Sequence, residues 1–148
     1  TESVDQARAA LRRGGIDCLQ LGYGLLDLEA LDGLLGDARA RGIGVIARGC
    51  FGGGFLKESL SEAELRAETP KAETILALRA LCRARGRSPL EAALHFALAT
   101  PGVDAALLGM RTREHVAENL RLHGAPPLDD DTYRALLAEG RGAARAEG

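Results

Sequence analysis

Apolar residues recur along this chain with two different periods that take turns. In residues 2–13, Val4, Ala7, Ala10 and Leu11 fall at helical spacing, and Gly14-Gly15 predicts the stop. "IDCLQL" (16–21) is short and apolar and predicts a buried strand. Residues 26–42 return to helical period, with Leu28, Leu31, Leu34 and Leu35 on one side and Gly42 as C-cap. "IGVIA" (43–47) predicts a second strand, followed by a glycine-rich loop. "SEAE" (61–64) has capping-box spacing and predicts a short helix. Thr69 as N-cap and Pro70 in the first turn open a longer helix carrying Ile75, Leu76, Leu78 and Leu81 to about Arg85. "SPLE" (88–91) repeats the signal: Ser88 caps, Pro89 takes the first position and Glu91 reaches back. "VDAALLG" (103–109) predicts a third strand, Arg111–Arg121 a helix, and residues 129–140 a last helix.

Short apolar strands that alternate with helices imply a parallel sheet covered by helices, an α/β fold. Three strands leave two long sheet edges unpaired, which is awkward for a stand-alone domain and points to part of a larger α/β architecture. Residues 1–140 read as one such unit and 141–148, "RGAARAEG", as a flexible tail.

Composition narrows the function classes. At 148 residues the chain fits one domain, and a net charge of −2 gives no bulk attraction to nucleic acid or an anionic membrane. The lack of Trp argues against a base-stacking surface. Cys18, Cys50 and Cys82 are odd in number and widely spaced, suiting neither disulfides nor a metal site, so a reducing cytoplasm is expected. No apolar run reaches membrane-spanning length and no signal peptide is visible. Because Thr1 opens directly onto a helix-like segment, any missing part is expected at the front.

The candidate chemistry lies at the strand ends. "RGCFGGGFL" follows the second strand, and a glycine-rich turn there brings backbone amides close to a phosphate. Its glycines are not spaced as in the dinucleotide fingerprint of a Rossmann fold. Arg111 and Thr112 sit where a strand ends and a helix begins, so free amides, the positive dipole end and a guanidinium all face a bound anion. His115 and Asn119 are four apart and share one helix face. His95, on an apolar helix face with Leu94 and Leu98, reads as a packed core residue, and "DDD" (129–131) as a helix cap.

"IDCLQLGYGLLD", "GIGVIARGCFGGGFL", "GRSPLEAALHFALATPGVDAALLGMRTREHVAENL" and "APPLDDDTYRALL" together resemble the C-terminal part of an aldo-keto reductase, in order, from roughly residue 3 to 138. The resemblance implies a (β/α)8 TIM barrel of which this chain carries strands six to eight, about three parallel β/α units plus a C-terminal helix. It implies that cofactor and substrate meet at the C-terminal strand ends. Gln20 then lies near the nicotinamide amide, and Arg48 stands where many members stack an aromatic on that ring. Gly49, Cys50, Phe51, Gly52 and Gly54 belong to a loop around the pyrophosphate, with Cys50 as a small filler where many relatives carry proline. Gly109 ends the last strand; Arg111 and Thr112 take the adenosine 2′-phosphate, and His115 and Asn119 are cofactor-side polar groups, the Asn near the adenine. NADP(H) is the implied cofactor and a small carbonyl compound the implied substrate.

The family's catalytic Tyr, Lys, Asp and His lie in an N-terminal half without counterpart here. Tyr23, Tyr133, Lys57 and Lys71 match none of those positions, so no catalytic residue and no metal ligand is assigned. The chain alone is therefore expected not to reduce carbonyls, and its open edges to be covered by a missing N-terminal half or by self-association into a homo-oligomer. Two other readings stand beside this one: a truncated relative acting as scaffold or nucleotide-binding module, and a repurposed site built from Gln20, Tyr23, Arg48 and Cys50.

Overall fold

A computed structural model describes residues 1–146. Ser3 caps the first helix, α1 (Val4–Arg13), by accepting from the Gln6 N–H, and Gly14 ends it at a positive φ of 70°. β1 (Cys18–Gly22) follows, then a 3-10 turn at Glu29–Leu31 and α2 (Leu34–Ala40). The continuous helix expected over 26–42 is broken because Gly33 adopts φ 94°, a left-handed conformation that interrupts the hydrogen-bond ladder. The apolar stripe survives the break, with Ala30, Leu34, Leu35 and Ala38 all buried.

β2 (Gly44–Arg48) leads into the glycine loop, and α3 (Glu62–Glu68) carries the complete capping box of Ser61 and Glu64. α4 (Ala72–Ala84) starts two residues later than Thr69 as N-cap predicts, with Lys71 in the cap position. Thr69, at φ −147° and ψ 137°, ends α3, and its Oγ1 accepts from the Lys71 N–H at 3.2 Å, so Pro70 and Lys71 form a turn that precedes the first helical residue. α5 (Pro89–Ala99) has Ser88 as its cap as expected, but Glu91 binds Arg87 at 2.9 Å rather than reaching back. β3 (Ala105–Leu107), α6 (Arg113–His123) and α7 (Asp130–Ala146) complete the order. Asp129 accepts from the Thr132 N–H at 2.7 Å, the capping role read from "DDD". α7 runs through residues 141–146, where a tail is expected; residues 147–148 lie outside the described residues.

The three strands form one parallel sheet in the order β1-β2-β3. β3 is shorter than the predicted 103–109 because Asp104 pairs by its side chain: its carboxylate accepts from the Val45 N–H at 2.7 Å while its own N–H donates to Val45 O. Leu19, Leu21, Val45 and Ala47 point to the helices and are buried. Gln20, Ile46 and Ala105 share the opposite face by register, as do Arg48 and Leu107. The strands predicted to be buried are thus buried on one side only, since among the described residues no layer covers the second face. Leu107 is 50% exposed.

Behind the sheet, the rings of Tyr23, Phe96 and Tyr133 stack in sequence. Thr100 Oγ1 lies 2.8 Å from Tyr23 Oη and 3.1 Å from Tyr133 Oη, tying the end of β1 to α5 and α7. His95 is buried with Nε2 3.0 Å from Leu122 O, a packed residue as read from the sequence.

Burial pushes the thiols of Cys50 and Cys82 up to about 11 from an ordinary value of about 9. The unfolded chain ionises these thiols first, so their contribution is full below about pH 9 and is lost as pH rises through about 11. Urea unfolding across this range is expected to show falling stability, with a shallower slope in the Cys50→Ala/Cys82→Ala double variant; an unchanged slope would contradict the assignment.

Candidate functional site at the strand ends

The loop after β2 is a run of tight turns. Gly52 N–H donates to Gly49 O at 2.8 Å, Gly54 N–H to Phe51 O at 3.0 Å and Lys57 N–H to Gly54 O at 3.1 Å. Gly49, Gly52, Gly53 and Gly54 all have positive φ, which glycine adopts without a Cβ penalty. The loop also packs downward: a Cβ on Gly52 would stand 2.5 Å from Leu26 Cδ1, and one on Gly24 3.1 Å from the Cys50 backbone. At least part of the glycine requirement is therefore close packing on the β1–α2 connection.

Because β2 and β3 are neighbours, the loop after β3 emerges beside the first. Thr112 caps α6, its Oγ1 accepting from the His115 N–H, while His115 Nδ1 accepts from the Arg111 N–H at 3.3 Å. Between the two loops lies a hollow of about 440 Å³. Of the expected residues, Gly49, Cys50, Phe51 and Gly54 line it from one side and Gly109, Arg111, Thr112 and His115 from the other. Gly53 and Lys57 join them. Lys57 is a lining residue that sequence reading set aside; four residues of consecutive turns bring it back to the glycines, which spacing alone does not reveal.

Four expected residues lie elsewhere. Gln20 is on the open sheet face, its carbonyl accepting from Thr1 Oγ1 at 3.2 Å. Arg48 donates to Thr1 O at 3.2 Å and to the Glu2 carboxylate at 3.3 Å. Gly52 faces Leu26, and Asn119 is 8% exposed one turn beyond His115. The Asn119 Nδ2 has no hydrogen-bond partner, an uncommon state for a buried amide.

The hollow is electropositive. Lys57, Arg111 and His115 line it with no acidic residue among its walls. Neither Lys57 nor Arg111 forms an ion pair among the described residues. In the first turn of α6, Glu114 is held below the ordinary carboxylate range by its own backbone N–H and then by Thr112, so a carboxylate of the chain itself sits at this helix start. A second hollow of about 300 Å³ adjoins on the far side of Lys57, with Leu56, Pro89, Leu90 and Glu118 in its walls.

The strand ends hold no evident nucleophile. The Cys50 thiol is buried, donates to Ala47 O and stays protonated at neutral pH. Tyr23, 1% exposed, turns its hydroxyl to Thr100, behind the sheet from Gln20 and Arg48. The set Gln20, Tyr23, Arg48 and Cys50 therefore does not converge on one site.

The aldo/keto reductase family pattern matches residues 1–138. Among solved structures, the holo form of the aldo-keto reductase AKR11C1 from Bacillus halodurans is 20% identical with a TM-score of 0.77, the match covering 93% of this chain and 48% of that one. The apo form gives 20% identity, a TM-score of 0.76, and coverage of 93% and 49%. At this identity the likeness establishes the fold: three parallel β/α units of a partial TIM barrel, spanning about half the length of those structures. No curated protein matches the chain.

Substitution at two glycines of the loop separates packing from backbone freedom. Gly49→Ala meets open space and is expected to cost only the positive-φ penalty, on the order of 1 kcal/mol. Gly52→Ala must also displace Leu26, so urea denaturation is expected to show about 1 kcal/mol more loss than at Gly49. Equal losses would mean that Leu26 does not constrain the loop.

Proposed function

Since the chain belongs to the aldo/keto reductase family, we propose that the hollow between the glycine loop and the start of α6 is the phosphate side of an NADP(H) site. The observation that carries this reading is the convergence of Lys57, Arg111 and His115 beside the start of α6, with no carboxylate among the lining residues. The residues present fit such a group. Arg111 offers a bidentate donor fork for a 2′-phosphate, and the turns at Gly53–Gly54 leave the backbone bare for a pyrophosphate. The unpartnered Asn119 amide, next in sequence to the Glu118 that lines the adjoining hollow, suits a nucleobase edge, and Leu56, Pro89 and Leu90 among that hollow's mixed walls suit its face.

The cofactor would supply the hydride; the chain's own part is to bind and orient it. Reduction also needs an acid at the carbonyl oxygen. Among the described residues none stands ready: Tyr23 is bonded to Thr100, Tyr133 lies in the same buried cluster, and Lys71 Nζ donates to Leu26 O at 2.7 Å. Carbonyl reduction is therefore assigned to these units together with further β/α units of the barrel, acting on a small aldehyde or ketone. The three cysteines, all free, are in keeping with a reducing cytoplasm.

The uncovered sheet face favours a second element of function. Leu107, Met110, Val116 and Leu120 are exposed along β3 and α6. This surface is the seam against which the rest of a barrel, or a second copy of the chain, docks.

Calorimetric titration is expected to show NADPH binding about tenfold or more tightly than NADH, and Arg111→Ala to remove that preference through loss of a charge-assisted contact. Equal affinities for the two, or no binding of either, would contradict the cofactor reading.

A further inference from the structure

We propose that Arg79 is a positioning residue for the anion hollow, holding the segment that follows the glycine loop so that Lys57 and Gly53–Gly54 face the ligand. This rests on the cofactor reading above. Arg79 projects from the buried face of α4, beside Ile75, Leu78 and Cys82, and is 4% exposed. Its guanidinium donates to three backbone carbonyls of one segment: Nη1 to Leu60 O at 2.8 Å, and Nη2 to Phe55 O at 2.9 Å and to Lys57 O.

A buried cation without an acidic partner is costly unless its donors are satisfied. Among the described residues no carboxylate pairs with Arg79. Glu58, the acid within the clamped segment, pairs with Arg83 at 3.0 Å instead. Burial accordingly holds the guanidinium pKa below its ordinary value. The two Nη atoms are satisfied by the three carbonyls, while Nε is buried with no hydrogen-bond partner, so the clamp carries part of that cost.

The clamped carbonyls bracket the site. Phe55 directly follows Gly54, whose own carbonyl accepts from the Lys57 N–H, and Lys57 is itself one of the three clamped residues. Gly53, Gly54 and Lys57 all line the hollow, while Arg79 stays behind them and out of its walls. With Arg79 holding Phe55, Lys57 and Leu60, and Leu26 packed against Gly52 in the preceding loop, the segment is ordered before any ligand arrives, which lowers the entropic cost of binding.

The test compares Arg79→Met, which keeps length and removes the donors, with Arg79→Lys, which keeps charge and loses the fork. Hydrogen exchange by mass spectrometry is expected to show about tenfold faster exchange across residues 52–60 in Arg79→Met, with β1 and β2 unchanged and Arg79→Lys intermediate. NADPH affinity is expected to fall about tenfold in Arg79→Met and under about threefold when the same change is made in a Lys57→Ala background, the coupling expected if Arg79 acts through Lys57. Exchange raised evenly over the whole chain, or the same loss of affinity in both backgrounds, would overturn the proposal and leave Arg79 a purely structural residue. If the unsubstituted chain binds no NADPH, the cofactor reading fails, and the local or global exchange pattern alone decides whether Arg79 fixes the loop. If Arg79→Met does not fold, Arg79→Lys decides: unchanged exchange and affinity would overturn the proposal.

Discussion

The position of β2, paired in parallel on both sides, is the constraint from which the rest of the site follows. Parallel pairing forces each strand to return through a helix, so every strand ends at the same edge of the sheet. The register that sets Arg48 against Leu107 therefore places the glycine loop directly beside the approach to α6. Two segments separated by some sixty residues share one hollow because three backbone pairs align them. The Asp104 carboxylate, taking the Val45 N–H, adds one more link to that short ladder.

On this frame, charge and packing divide the work. The walls of the hollow gather cations and a helix start and exclude carboxylates, which favours an anion without specifying its chemistry. The supports lie outside the walls: Leu26 beneath Gly52, Arg79 behind Phe55 and Lys57, and the Tyr23–Thr100–Tyr133 cluster fixing the end of β1 to two helices. A loop with four glycines of positive φ would otherwise be costly to order.

Much of this was legible in the chain. The alternation of periods located all three strands within a few residues, and the Ser61–Glu64 and Ser88–Pro89 signals marked two helix starts correctly. Thr69-Pro70 marked the start only to within two residues, because Thr69 also ends α3 and its Oγ1 holds the Lys71 N–H in a turn before the helix. Gly33 falls inside the helical pattern of residues 26–42, and only its φ shows the break. Arg111 and Thr112 were visible from their place between strand and helix, and His115 from the family resemblance; all three line the hollow. Lys57 was not, because its return to the hollow depends on consecutive turns. Arg79 carried a readable signal: a charged residue four places after Ile75, on a face otherwise apolar.

The family assignment and the uncovered face belong together: the chain spans about half the length of the solved barrels it matches, and its sheet is covered on one side. The contribution proposed for these three units by themselves is a prearranged anion site. Backbone amide NMR during titration with 2′,5′-ADP tests that most directly. Shifts confined to residues 49–57 and 109–119 are the predicted result. No shifts at saturation, or shifts centred on the hollow at the opposite ends of the strands, around Arg39, Gly44 and Pro101, would contradict it.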